Sequence, residues 1–182
     1  MAVEFQASRT RENLMRAFAG ESQARNRYTI AADAAKKQGL YSIQQVFLFT
    51  ADQERAHAER YYGLLKNLSG TTIEISGGYP VDHFDDVVKL LKKAEHNEME
   101  EADDVYQAFG NVAKEEGFLE AASAFFQIAE VEAVHGRRFR KLAELLEQNK
   151  YFECEGNGQW MCMNCGHIQS GKLVPPMCPV CR

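Results

Sequence analysis

Gln53-Glu54-Arg55-Ala56-His57 and Glu132-Ala133-Val134-His135 decide the fold. Each sets a glutamate three residues before a histidine, inside a stretch with helical periodicity. Side chains three apart on a helix share one face. Each pair can therefore offer a carboxylate and an imidazole to one metal ion, and two pairs on facing helices can hold two ions. The chain before Asn149 reads as a scaffold that holds these pairs opposite each other. The chain after it reads as a second metal site.

Working outward, the pattern predicts four long helices. The first is capped by Thr10 and runs to about Gln38, with Lys36 and Lys37 in its last turn and Gly39 suited to the left-handed position beyond it. Ser42-Ile43-Gln44-Gln45 reads as a capping box opening the second helix, which reaches about Leu68 and stops at Ser69-Gly70. The stretch from Thr71 to Pro80 has no helical period and is too long for a tight hairpin. A third helix starts near Asp82 or Asp85 and ends before Gly117, with Gly110 a weak point inside it. The fourth runs from about Phe118 to about Gln148. Two short connections flanking one long crossover are the ferritin-like arrangement of a four-helix bundle. Helices of about 25–30 residues would be about 40 Å long. The expected division is a bundle over 1–148, a linker over 149–159 and a four-cysteine module over 160–182.

Read at the spacing that faces a bundle core, the first helix presents Leu14, Ala17, Glu21, Ala24, Tyr28, Ala31 and Ala35. The second presents Ile43, Phe47, Thr50, Glu54, His57, Tyr61, Leu64 and Leu68. The third presents Leu91, Ala94, Glu98, Glu101, Val105, Ala108 and Val112. The fourth presents Phe125, Ile128, Glu132, His135, Phe139, Leu142 and Leu146. Every seam is mainly apolar and is broken partway by acid or imidazole. Five glutamates and two histidines then point at one another. Burying an ion costs several kcal/mol, so five carboxylates cost roughly 15 kcal/mol, as much as the roughly 5–15 kcal/mol that holds a domain together. Either the acids keep their protons or cations sit among them. Two divalent ions bring the centre close to neutral, and oxygen-rich ligation with one imidazole per metal suits iron or manganese better than structural zinc.

Some residues carry two readings. Tyr28, one heptad after Glu21, and Tyr106, near Glu101, either pack simply or hydrogen-bond ligand carboxylates. Tyr61 reads as packing. Glu95-x-x-Glu98 competes with Glu98-x-x-Glu101 as the local pattern, and the heptad favours the latter. His83 and His96 fall off the seams and are expected at the surface.

The chain has 182 residues, 45% of them hydrophobic and 26% charged, with a net charge of −5. That is the balance of a globular domain plus a small module. The negative charge argues against nucleic-acid binding. No apolar run is long enough to span a membrane, and the N-terminus shows no signal-peptide pattern, so a cytoplasmic location is expected. Four of five cysteines form Cys162-Met163-Asn164-Cys165 and Cys178-Pro179-Val180-Cys181, a tetrahedral thiolate set for zinc or a single iron. Cys154 is left over, and His167 is not expected to be a ligand. Tyr151 to Gln159 reads as a linker with one strand.

The sequence resembles the rubrerythrins: a ferritin-like di-iron bundle followed by a rubredoxin-type iron module. Ala19-Gly20-Glu21-Ser22-Gln23-Ala24-Arg25, both Glu-x-x-His pairs, the Glu-rich third helix, Glu115-Glu116-Gly117-Phe118 and the closing Cys-Pro-x-Cys carry the resemblance across nearly the whole chain. It implies Glu54 and Glu132 as bridging carboxylates and Glu21, Glu98 and His135 as terminal ligands. It also implies that Glu101 and the His57 imidazole trade places as the irons change oxidation state, which puts Glu101, His57, Tyr28 and Tyr106 in the catalytic group. The cofactors implied are two irons in a carboxylate-bridged centre and one iron at Cys162, Cys165, Cys178 and Cys181. Two departures stand out. Gln107 follows Tyr106 where the family often has proline. The chain also stops at Arg182, where rubredoxin-type modules usually continue with an apolar tail, so either the cluster is more exposed here or the sequence is truncated.

The activity implied is reduction of hydrogen peroxide to water, with electrons from NADH through a reductase or rubredoxin and the iron of the four-cysteine site. A homodimer or higher homo-oligomer would set one chain's tail against the other's di-iron site. The alternative is a ferroxidase or iron-storage protein with a structural zinc tail. A non-catalytic metal-stabilised scaffold is the third reading.

Overall fold

The computed structural model describes residues 3–182, with a short 3-10 turn at Phe5–Ala7 leading into the first helix. Helix α1 spans Arg9–Lys37 and α2 spans Tyr41–Leu64, joined by a turn in which Gly39 takes φ +73°. After a 3-10 turn at Lys66–Leu68 the chain crosses over without regular structure until α3, Val87–Glu100. Then comes a π-helical segment, Glu101–Val105, followed by α4, Tyr106–Glu116, and α5, Leu119–Glu147. Helix α1 pairs with α2, and α3–α4 pair with α5, so two helical hairpins pack face to face. The fold is all-α and ferritin-like with one long crossover, followed by a small cysteine module.

The core has two apolar parts separated by a polar layer. One part gathers Tyr28, Ala31, Ile43, Phe47, Leu91 and Phe139. The other gathers Leu14, Tyr61, Leu65, Tyr106, Phe125 and Ile128. On each hairpin the acids and imidazoles fall between these two sets. Burying the apolar parts supplies the hydrophobic free energy, and the polar layer is held between them.

Four local expectations are corrected. Ser8, not Thr10, caps α1, its hydroxyl accepting from Arg11 N at 3.1 Å. Thr10 instead donates through Oγ1 to Glu116 Oε2 at 2.6 Å. Ser42 forms no capping box: α2 begins one residue earlier, and the Ser42 hydroxyl pairs with Tyr151 Oη at the start of the tail. Asp86 opens α3, accepting from Lys89 N at 3.0 Å. The helix does not weaken at Gly110. It changes period at Glu101–Val105, where a π turn absorbs one extra residue. The buried positions within and beyond it are Ala102, Tyr106, Gly110 and Ala113, while Val105 and Val112 are only half-buried and Ala108 is exposed.

In the tail, β1 (Glu153–Met161) pairs antiparallel with β2 (Ile168–Leu173), Trp160 opposite Gln169. The strand starts inside the stretch expected as a linker. A register irregularity lies between Glu153 and Gly158, where a Cβ on Gly158 would fall 2.1 Å from Cys154 Sγ. Among the described residues no helix is long and apolar enough to cross a membrane.

Candidate metal centres

Helical spacing brings each Glu-x-x-His pair onto one face, and the antiparallel packing of the hairpins points both faces inward. Glu54 and Glu132 sit in the middle. Glu54 Oε2 lies 3.2 Å from His57 Nδ1 and its Oε1 lies 3.1 Å from His135 Nδ1. Glu132 repeats this, with Oε1 2.9 Å from His57 Nδ1 and Oε2 2.8 Å from His135 Nδ1. Each central carboxylate thus turns one oxygen to each imidazole. Glu98 Oε2 stands 3.5 Å from His135 Nδ1, and Glu21 Oε1 stands 3.9 Å from His57 Nδ1. Two four-residue sets result, Glu21-Glu54-His57-Glu132 and Glu54-Glu98-Glu132-His135, which share the two central acids.

A buried tyrosine holds each outer acid. Tyr106 Oη donates to Glu21 Oε1 at 2.6 Å, and Tyr28 Oη donates to Glu98 Oε1. Burial raises both phenols, so they stay protonated as donors. Glu95 is resolved as a surface residue: its carboxylate accepts from Arg140 Nε at 2.5 Å on the outside of the bundle. His83 and His96 are placed off the metal layer as expected, in neither coordination set. Glu101 belongs to neither set. It opens the π segment, is partly exposed and lines a cavity beside Tyr106. Sequence reading missed the unpartnered hydroxyl of Tyr61, which is buried, its ring tilted 57° against that of Tyr106 at 5.5 Å. No pattern in the residues marks it apart from an ordinary seam aromatic.

The electrostatics follow from burial and crowding. Burial pushes Glu21, Glu98 and Glu101 above the usual carboxylate range, and the nearby charges of Glu132 and Glu54 push them further. Burial acts the same way on Glu54, but the His135 and His57 imidazoles beside it outweigh it and hold that carboxyl down to about 2. Burial depresses the imidazoles, yet Glu132 and Glu54 overcome it and raise His57 to about 9 and His135 to about 12. Without metal, protons take the place of cations in this layer.

The donor set fits metal. Both oxygens of Glu132, one each of Glu21, Glu54 and Glu98, and both ring nitrogens of His135 have no hydrogen-bond partner of proper geometry, although all are buried. Leaving such groups unsatisfied costs about 1–3 kcal/mol each, and more when charged. Two cations sharing Glu54 and Glu132 would satisfy them together. In the tail, Cys162 and Cys181 Sγ are 3.6 Å apart, as are Cys165 and Cys178 Sγ. A tetrahedron with metal–sulfur bonds of about 2.3 Å has edges of about 3.8 Å, so the four sulfurs fit one ion. Backbone amides of Cys165 and Asn164 lower Cys162 to about 6, and those of Cys181 and Val180 lower Cys178. His167 stays off the cluster, its carbonyl accepting from Cys162 N at 2.8 Å.

Comparison with known proteins agrees with this geometry. The Rubrerythrin family model matches residues 12–143. The chain is 45% identical over 175 residues to a rubrerythrin of Clostridium perfringens, covering 96% of this chain and 90% of that protein. It is 42% identical over 181 residues to a rubrerythrin of Porphyromonas gingivalis, covering 100% and 89%. A solved structure of nigerythrin in a mixed-valent state superposes with a TM-score of 0.67 at 28% identity, covering 96% of this chain and 85% of that one.

Proposed function

We propose, because this chain belongs to the rubrerythrin family, that it works as a non-haem di-iron peroxidase reducing hydrogen peroxide to water in oxidative-stress defence. Its cofactors are a Glu/His di-iron centre and, at the four cysteines, a cluster that fits one iron. The observation that carries the reading is the double sharing of Glu54 and Glu132, one oxygen of each toward each imidazole. When bound, the irons supply two electrons, so that H2O2 with two protons and two electrons gives two waters.

The chain's own residues hold and orient. Glu54 and Glu132 would bridge, and Glu21, Glu98 and His135 would complete the two coordination sets. Tyr106 and Tyr28 fix the carboxylate rotamers of Glu21 and Glu98 and leave Oε2 of each without a hydrogen-bond partner and available to a metal. The arrangement seen here has His57 turned in toward both central acids and Glu101 outside both sets. This supports His57 and Glu101 as an exchangeable pair. The π turn favours it, since a local period change leaves one carboxylate free of the helix register. Glu101 can also hold a proton at the wall of the cavity, where burial raises it.

Electrons would return through the iron of the four-cysteine site from a reductase or rubredoxin ultimately drawing on NADH. A second copy of the chain would set its tail against this centre. Mixing anaerobic, iron-loaded, fully reduced protein with peroxide in a stopped-flow instrument tests the reading. Rapid growth of the ferric tetrathiolate absorption with stoichiometric loss of peroxide is the expected result. Absence of that absorption, with iron accumulating far beyond three per chain, would move the protein to iron oxidation and storage with a zinc tail.

A further inference from the structure

Two cavities touch the polar layer from different sides. One, about 310 Å³, is lined by Gln53, Val131, Val134, His135 and Arg138. It ends on a ring that is fully buried, and Arg138 bridges Thr50 and Gln53 at 3.3 Å each across it. The other, about 230 Å³, is lined by Arg16, Gly20, Tyr79, Asn97, Glu101 and Tyr106. It ends on the partly exposed Glu101 and on the tyrosine that holds Glu21.

Residues 77–80 of the long crossover between α2 and α3 form the outer wall of this second cavity and are held by contacts at and on either side of them. Arg16 Nε donates to Ser76 O at 3.0 Å, and Tyr79 Oη donates to Arg16 O at 3.2 Å. Farther on, Asn97 Nδ2 and Arg27 Nη1 donate to Asp82 Oδ2 at 2.7 and 3.2 Å. The Tyr79 ring lies between two glycines. A Cβ on Gly20 would stand 3.8 Å from its Cε1, and one on Gly77 would stand 3.3 Å from its hydroxyl. Gly20 directly precedes Glu21. Tyr79, 42% exposed, thus stands at the surface with its ring against the residue that precedes Glu21.

We propose that this cavity is the entry port of the peroxide substrate and that Tyr79 is its specificity-determining gate, admitting hydrogen peroxide and small alkyl hydroperoxides and excluding those with a bulky organic group. The proposal rests on the peroxidase reading for its substrate class. A hydroperoxide ROOH would take two electrons from the reduced di-iron centre, when that is loaded, and two protons from solvent water, so that the O–O bond breaks and ROH and water leave. A water occupies roughly 30 Å³ in the liquid, so the cavity of about 230 Å³ has room for roughly eight waters, and the Tyr79 ring in its wall sets how bulky an organic group can pass. Tyr79 touches no ligand atom and belongs to none of the machinery described above.

The test compares wild type with Tyr79→Ala, Tyr79→Phe and Tyr79→Trp. The first readout is independent of turnover: the association rate of azide with the oxidised di-iron centre, followed by absorption. It should rise in Tyr79→Ala, change little in Tyr79→Phe and fall in Tyr79→Trp. The second is the rate at which cumene hydroperoxide, relative to hydrogen peroxide, oxidises the reduced centre. That ratio should rise at least about tenfold in Tyr79→Ala and fall in Tyr79→Trp. The two aromatic variants keep a ring in the slot and carry the test even if the alanine variant does not fold. Equal azide rates across the series, or an unchanged ratio, overturn the port. Failure of wild type to react with hydrogen peroxide would overturn the peroxidase reading, while the azide series would still read the port.

Discussion

The bundle collects its ligands from four helices between Glu21 and His135 and buries nearly all of them completely; the tail collects its four between Cys162 and Cys181 and leaves Cys165 exposed. The bundle ligands stand on rigid elements clamped between two apolar cores, and protons neutralise them when metal is absent. The tail has one two-stranded sheet, and none of its residues is fully buried. A unit this small lacks the apolar area to fold alone. Metal is therefore a guest in one centre and the core of the other.

Chelation should separate the two most sharply. Structural zinc binding is worth about 10–16 kcal/mol in zinc-finger peptides and is folding free energy there, and the four-cysteine tail should depend on its ion in the same way. Removing all metal should make the segment after Asn149 protease-sensitive within minutes, while the far-ultraviolet helical signal of the bundle survives. Loss of both together would show that the bundle also depends on its ions.

Within the bundle the shared acids can be set against the unshared ones. Glu132→Gln changes an acid common to both four-residue sets, whereas Glu98→Gln changes one that belongs to the His135 set alone. Iron analysis should find the bundle nearly empty in the first variant and about half-loaded in the second, with peroxide oxidation lost in both. Equal iron content would break the bridging assignment. Tyr106→Phe is milder. It removes one hydrogen bond to Glu21, and losing such a support typically weakens metal affinity about 10–100-fold. A competition titration against a chelator reads the difference.

The response to pH contrasts the centres again. His57 is raised to about 9 in the folded metal-free bundle, so between its unfolded value near 6.5 and about 9 the folded state binds more protons than the unfolded one. Stability must then fall as pH rises through that window. The raised acids Glu21, Glu98 and Glu101 act in the same direction from lower pH upward. Glu54, held down to about 2, acts oppositely and only between about 2 and the usual carboxylate range. Thermal melts of the metal-free protein should therefore weaken from about pH 6.5 to about pH 9, and iron-loaded protein should lose that slope because metal has displaced the protons. A flat profile without metal would mean that the imidazoles are not held by the acids.

Most of this contrast was legible in the residues. The Glu-x-x-His pairs and the Cys-x-x-Cys knuckles are local patterns, so spacing alone placed them, and the apolar seams placed Glu21 and Glu98. Glu101 was legible as an acid near the centre, but its position outside both sets was not. Seam reading assumes one period throughout, and the π turn at Glu101–Val105 inserts a residue that no side chain announces. The shift moves the seam from Val105 to Tyr106, which is why a tyrosine off the expected line reaches Glu21. Ser42 failed as a cap for a related reason: its partner, Tyr151, lies 109 residues away.

The smallest expected effect tests that altered register. Beyond the π turn, Gly110 faces α5, and a Cβ there would come within 2.5 Å of the Phe126 ring. Alanine in place of glycine gains about 0.5–1 kcal/mol of helix propensity, whereas overpacking costs about 1–3 kcal/mol. Phe126 is only partly buried and can give somewhat, so the net loss in Gly110→Ala should be about 1 kcal/mol. For a chain of this size that lowers Tm by about 2–4 °C, and metal content should be unchanged in both centres. A rise in Tm would mean that Gly110 does not face α5, and the one-residue shift that brings Tyr106 to Glu21 would then have to be redrawn.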